Sequence, residues 1–301
     1  MKKILLTLAV FAFATNAFAW GQAGHYLTNE AAALALPPDM PQFFLRAFPE
    51  IVALAPHADR LLHNGPSSDA AFTPDHFLNY EMVSDLDLTP DRYEYLALLE
   101  SSRRLAHLGV ENTVIGFLPW RIAELSEQLT ADFRLWRSYL PGTPDRRAME
   151  QEIVDTAGML GHFVGDSAQP LHNTMNYNGW VSPNPNGYSN DCTIHARFET
   201  DFVSHSIVLA DVTPKVAMTP VKRTDYFATA LDFIKSSNTQ VERVYQLDKK
   251  NGFSPFGPVN AEAKAFTSDR LALGASLLRD LWWSAWKNSE APRPTRRAGT
   301  T

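Results

Sequence analysis

The sequence predicts an all-α fold in one multi-helix domain. Apolar residues recur at three- and four-residue spacing over most of the 301 residues, helix-start signals punctuate those stretches, and the alternation that marks strands is scarce. No internal repeat and no Gly/Ser linker divides the chain, so a single domain over residues 20–288 is expected.

Taken in order, Lys2 and Lys3 precede an apolar run from Ile4 to Ala14 and the small-x-small triplet Ala17, Phe18, Ala19. This predicts a secretory leader over residues 1–19, too short in its apolar part to span a membrane. Export to the periplasm or the cell exterior follows, with a mature chain beginning at Trp20. Helical patterns then run over His25 to Leu36, Gln42 to Leu54, Asp91 to Leu108, Ile115 to Leu140, Pro144 to Ser167, Thr193 to Val208, Tyr226 to Tyr245 and Ala261 to Lys287. Thr89 with Pro90, and Thr143 with Pro144, each place a capping threonine before a proline at the first helical position. Two irregular segments, Pro56 to Leu88 and Gln169 to Asp191, interrupt the helices, and loops of that length inside a domain are commonly functional. Residues 289–301, with two prolines and two consecutive arginines, read as a disordered tail.

Composition narrows the chemistry. A lone cysteine, Cys192, rules out an internal disulfide, so the fold rests on packing and on any bound metal. Loss of Lys2 and Lys3 with the leader takes the formal net charge from −6 to −8, a balance unsuited to general nucleic-acid binding. Divalent cations gathered in one cleft would weaken that objection.

The central stretch is Gly161 to His172, GHFVGDSAQPLH. His162 and Asp166, four apart, share one face of the helix that ends at Gln169 and Pro170, and His172 follows from its exit. Their nitrogen and oxygen donors suit a divalent metal. His195 and Glu199 repeat the four-residue spacing; taken singly, they also read as a surface ion pair. Asp59 and His76 lie in the first irregular segment, and His25 lies one turn beyond Trp20. A freed α-amino group at Trp20 could itself act as a ligand. His57 and His63 flank Asp59 and are alternative ligands, His107 and His205 read as helix-surface or core residues, and Asp75 could either orient a ligand histidine or serve a turn.

In order, these pieces are an N-terminal Trp exposed by leader cleavage, a nearby His, an Asp and then a His in a long loop, a central HxxxDxxxxxH and a later HxxxE. The set resembles the zinc-dependent phospholipase C and P1 nuclease family, from Trp20 to Glu199, and Leu281, Trp282 and Trp283 look like that family's last helix. The resemblance implies an all-helical fold with three zinc ions in a cleft. Carried over by position, Asp59, His76, His162 and Asp166 would hold the first ion. Trp20, His25 and a bridging Asp166 would hold its close partner, and His172, His195 and Glu199 the third.

The same resemblance implies hydrolysis of phosphodiesters, with Asp59 and Asp166 as the catalytic carboxylates and metal-bound water as the nucleophile, because paired ions lower the pKa of such a water towards 7. Phe77, Asn79 and Arg60 would contact substrate. The substrate is expected to be single-stranded nucleic acid or nucleotide, without a stable nucleic-acid complex, or alternatively a phospholipid. Glu199 matches the phospholipases, where the nucleases carry Asp, and Leu62 stands where the nucleases carry an arginine. Phe77 occurs in both branches, the disulfides of fungal nucleases are absent, and Gln169 to His172 reads closer to the nucleases. A secreted helical module that binds zinc without turnover, or a degenerate enzyme, would keep the same ligands.

Overall fold

The computed structural model describes residues 20–181 and 183–291 and is all-α. The expected leader over residues 1–19 and the tail from residue 292 onward lie outside the described residues. Five long helices carry the fold: α1 (Gly21–Leu34), α2 (Leu118–Ser138), α3 (Pro144–Ala168), α4 (Tyr226–Asn238) and α5 (Ala261–Asn288). Among the described residues the single pairing of extended backbone is the bridge between Leu78 and Gly116, and no helix is long and apolar enough to cross a membrane.

α3 is the central element. It packs against α1, α2, α4 and α5, and every residue from Leu160 to Ala168 is buried, which accounts for the apolar residues lying all round that half of the helix. Its ends form as the sequence predicts. The Thr143 hydroxyl accepts from the Arg146 amide at 3.3 Å, and Gln169 turns to extended backbone before Pro170. α1 can lie close to α3 because residue 165 is glycine: a Cβ there would come within 2.9 Å of the His25 ring.

Several expected helices are shorter or broken, each for a local reason. Gln42 to Leu54 splits into Gln42–Arg46 and Phe48–Ala53, because Pro49 has no amide hydrogen to give the Leu45 carbonyl and its ring crowds that carbonyl, so the helix restarts with Pro49 in its first turn. Asp91 to Leu108 breaks at Arg103, which adopts a left-handed φ of 52°. The first of those pieces is capped by Asp91, which accepts from the Tyr93 and Glu94 amides, and not by Thr89, whose carbonyl accepts from the Trp120 indole. α2 starts at Leu118, later than its pattern, since Gly116 at φ 97° lets the chain cross against Phe77, where a Cβ would meet the Phe77 carbonyl oxygen. Tyr226 to Tyr245 divides into α4 and Val241–Lys249, and the Asn238 side chain at the junction donates to Glu81 and to the Asn173 carbonyl.

The first irregular segment contains the short helices His57–Arg60 and Pro66–Phe72 and 3-10 turns at Thr73–His76 and Tyr80–Met82. Thr193 to Val208 is helical but widens to a π-helix over Arg197–Phe202, around Glu199. Within the described residues, the Ser289 hydroxyl accepts from Arg137 and the Ala291 carbonyl accepts from Arg134, both on α2.

Candidate metal centre

The end of α3 gathers side chains that the sequence scatters. His162 and Asp166 project from its last turns, His25 arrives on α1, Asp59 on the helix His57–Arg60 and His76 on the turn Thr73–His76. A second cluster forms around His172, on the turn Pro170–Asn173, with His195 and Glu199. Three sets of buried side chains bring one donor atom each to within 4.8 Å of one another: His25, His162 and Asp166; Asp59, His76 and His162; and His172, His195 and Glu199.

Asp166 stands between the first two sets. Its Oδ1 is 3.5 Å from His25 Nε2, and its Oδ2 is 3.1 Å from His76 Nδ1 and 3.4 Å from His162 Nε2. Asp59 Oδ1 is 3.5 Å from His162 Nε2 and 3.9 Å from His76 Nδ1. In the third set, Glu199 Oε2 is 2.9 Å from His195 Nε2 and 3.4 Å from His172 Nε2. A tetrahedral ion with nitrogen and oxygen ligands at about 2.0–2.1 Å separates those ligand atoms by roughly 3.3 Å, so the spacings suit a shared cation.

Tautomers point the same way. His162 Nδ1 donates to the Ala55 carbonyl at 2.8 Å, His172 Nδ1 to the His76 carbonyl at 2.7 Å and His195 Nδ1 to the Tyr177 carbonyl at 3.0 Å. Each bond leaves the Nε2 lone pair facing the cluster, the arrangement in which a backbone carbonyl holds a ligating imidazole. Buried polar atoms are normally hydrogen-bonded, yet His25 Nε2, Asp166 Oδ1 and Glu199 Oε1 have no such partner. The donor set therefore fits divalent cations.

Charge divides the centre in two. Burial holds His25 and His162 well below the ordinary imidazole range and His76 at about 3, so these rings are neutral at pH 7, as ligation requires. Burial likewise pushes the Asp166 carboxyl well above its ordinary value. In the third set burial opposes charge as well, but the neighbouring histidines overcome it and lower Glu199 to about 2, while Glu199 in turn raises His195.

A cleft of about 340 Å³ opens beside both clusters, with His76, His172 and His195 in its wall. Phe77 and Asn79 also line it, as do Leu62, Leu171, Val114 and Tyr177. Asn79 Nδ2 donates to the Val114 carbonyl at 2.7 Å. Arg60 is not among the lining residues; it is exposed, with its guanidinium 3.3 Å from the Tyr26 hydroxyl. Trp20 is fully buried next to the first cluster, its ring 5.3 Å from that of Phe198 and its carbonyl accepting the Gly24 amide at 3.1 Å. His57 is half-buried, and His63, His107 and His205 are exposed; none of the four belongs to a cluster. Asp75 orients no histidine, because its carboxylate pairs with Arg92 at 2.7 Å and Arg121 at 3.6 Å.

No protein-family model matches this chain, and no curated protein does. Several contributors carry no role in the sequence pattern, among them Tyr177, Val114 and Gln169. Tyr177 and Val114 reach the cleft only through long-range packing, which leaves no local signal. Gln169, read as a helix terminator, is a fully buried side chain bonded to Glu199, and an uncharged hydrogen bonder set between Asp166 and His172 was the available clue.

Proposed function

We propose that this protein is an exported, metal-dependent phosphodiester hydrolase of the kind its sequence resembles, the zinc-dependent phospholipase C and P1 nuclease family. The observation that carries this reading is the convergence of eight side chains, His25, Asp59, His76, His162, Asp166, His172, His195 and Glu199, into three buried donor sets beside one cleft. Zinc ions held there would supply Lewis acidity towards a phosphate and lower the pKa of coordinated water.

The chain's own part is positional and electrostatic. Asp166 offers one oxygen to the His25 set and the other to the His76 and His162 set, which fits it to bridge two ions, and Asp59 adds a second carboxylate. Phe77 and Tyr177 supply aromatic rings to the cleft wall, and Leu62, Leu171 and Val114 would exclude water from the organic part of a substrate. With its nitrogen committed to Val114, Asn79 has its amide oxygen left to accept a hydrogen bond from that group.

The preferred substrate is a single-stranded nucleic acid or a nucleotide, whose base can stack on Phe77. A second reading, a phospholipid, is favoured by Glu199 and by a lining that includes no Lys or Arg among the described residues. The deciding experiment combines elemental analysis of the purified protein with hydrolysis of bis-para-nitrophenyl phosphate before and after chelation. Bound zinc with chelator-sensitive hydrolysis is expected. Bound zinc without turnover would leave a binding module, and a metal-free, inactive protein would refute the reading altogether.

A further inference from the structure

We infer that Gln169 is a positioning residue that aims the Glu199 carboxylate and ties the third donor set to the end of α3. This rests on reading His172, His195 and Glu199 as cation ligands. Gln169 is fully buried, and both ends of its amide are engaged. Its Oε1 accepts from the Leu171 backbone amide at 2.6 Å, and its Nε2 donates to Glu199 Oε2 at 3.0 Å. The orientation is unambiguous: the Leu171 N–H can only donate, so the oxygen must face it and the NH2 must face the carboxylate.

That amide cannot itself ligate a cation through nitrogen, and its effect runs through Glu199. It secures Oε2, the oxygen that also faces His195 and His172, and leaves Oε1 without a hydrogen bond. The backbone of the same residue joins the two clusters. Its N–H donates to the Asp166 carbonyl at 3.0 Å, and its carbonyl accepts from the His172 amide at 3.1 Å and from Asn173 Nδ2 at 2.7 Å. One residue thus fixes the end of the helix that bears Asp166, the turn that bears His172 and the carboxylate of Glu199. Partners of this kind, one bond removed from a metal, commonly change affinity about 10- to 100-fold when lost.

The informative variant is Gln169→Glu. It keeps an acceptor for the Leu171 amide and replaces only the donor with a second carboxylate oxygen. Full-length wild type, Gln169→Glu, Glu199→Gln and the double variant are stripped with chelator, titrated with zinc alone and assayed for bound equivalents, with the melting temperature of each stripped protein recorded. Gln169→Glu is expected to weaken one equivalent about 10- to 100-fold and to leave the others as in wild type. Glu199→Gln should weaken the same equivalent. In the double variant amide and carboxylate exchange places, so the hydrogen bond returns: the melting temperature lost in Gln169→Glu should recover, with that one equivalent still weak. If Gln169→Glu does not fold, the double variant decides, and its failure to fold or its loss of more than one equivalent would overturn the inference. Wild-type or tighter binding by Gln169→Glu would overturn the inference about Gln169 alone. A wild-type protein that binds no zinc would overturn the ligand reading and this inference with it.

Discussion

Asp166→Asn separates the cost of burying this centre from its use. The carboxylate is fully buried, contacts three histidine nitrogens, and in the metal-free protein titrates well above its ordinary value because burial penalises its charge. A group whose folded pKa is raised contributes stability that is complete below its unfolded value of 3.8 and fades as pH rises towards the folded value. Asparagine is neutral throughout and of nearly the same shape. Stripped of metal at pH 7, the variant should therefore melt at or above wild type, and any advantage should vanish in acid below that unfolded value.

With zinc bound as proposed, the order should reverse. A ligand at 100 times its Kd stabilises a fold by about 2.7 kcal/mol, and in a large domain each kcal/mol moves Tm by roughly 2–4 °C, so one ion is worth roughly 5–10 °C. Asp166 faces two donor sets, and Asp166→Asn should forfeit about 10–20 °C of the zinc-induced shift while binding two fewer equivalents. Scanning calorimetry with zinc and with chelator, paired with elemental analysis, measures both. A variant that keeps the wild-type shift, or that loses one equivalent only, would refute the bridging role.

Other positions probe the helix contact, the cleft and the N-terminus. Gly165→Ala places a Cβ within 2.9 Å of His25 Nδ1 and should lower stability by about 1–3 kcal/mol and weaken the ion held by His25 and Asp166; unchanged zinc content would show that the ring yields freely. On the nuclease reading Phe77→Ala should cut kcat/KM on single-stranded DNA about tenfold or more and spare the small chromogenic diester, which has no base to stack. Wild-type protein that ignores DNA and hydrolyses short-chain phosphatidylcholine would favour the phospholipid reading instead. If the free amine of Trp20 is a ligand, protein that retains residues before Trp20 should bind one ion fewer than protein starting there, and equal zinc content in the two forms would remove Trp20 from the centre.

Much of this molecule was legible in the chain because its signals are local. Helical class follows from apolar periodicity, the start of α3 from Thr143 and Pro144, and its end from Pro170. Four-residue spacing put His162 with Asp166 and His195 with Glu199, since a helix turn brings such pairs together wherever the helix lies. Helix breaks at Arg103 and after Asn238 carry no comparable mark; the second sits where Asn238 bonds to segments far away in sequence.

Only the tertiary structure decided which pairs meet. Asp59 and His76 belong with Asp166 because two short turns pack against the end of α3, and His25 reaches it because Gly165 leaves room. The cleft is assembled from residues 62, 77, 114, 171 and 177, whose neighbourhood no spacing rule encodes, and Arg60 falls outside it because its own helix turns it towards Tyr26. Periodicity reports what a residue does within its helix, whereas a site built from several elements depends on how their buried faces fit together, and that is a property of the packed core.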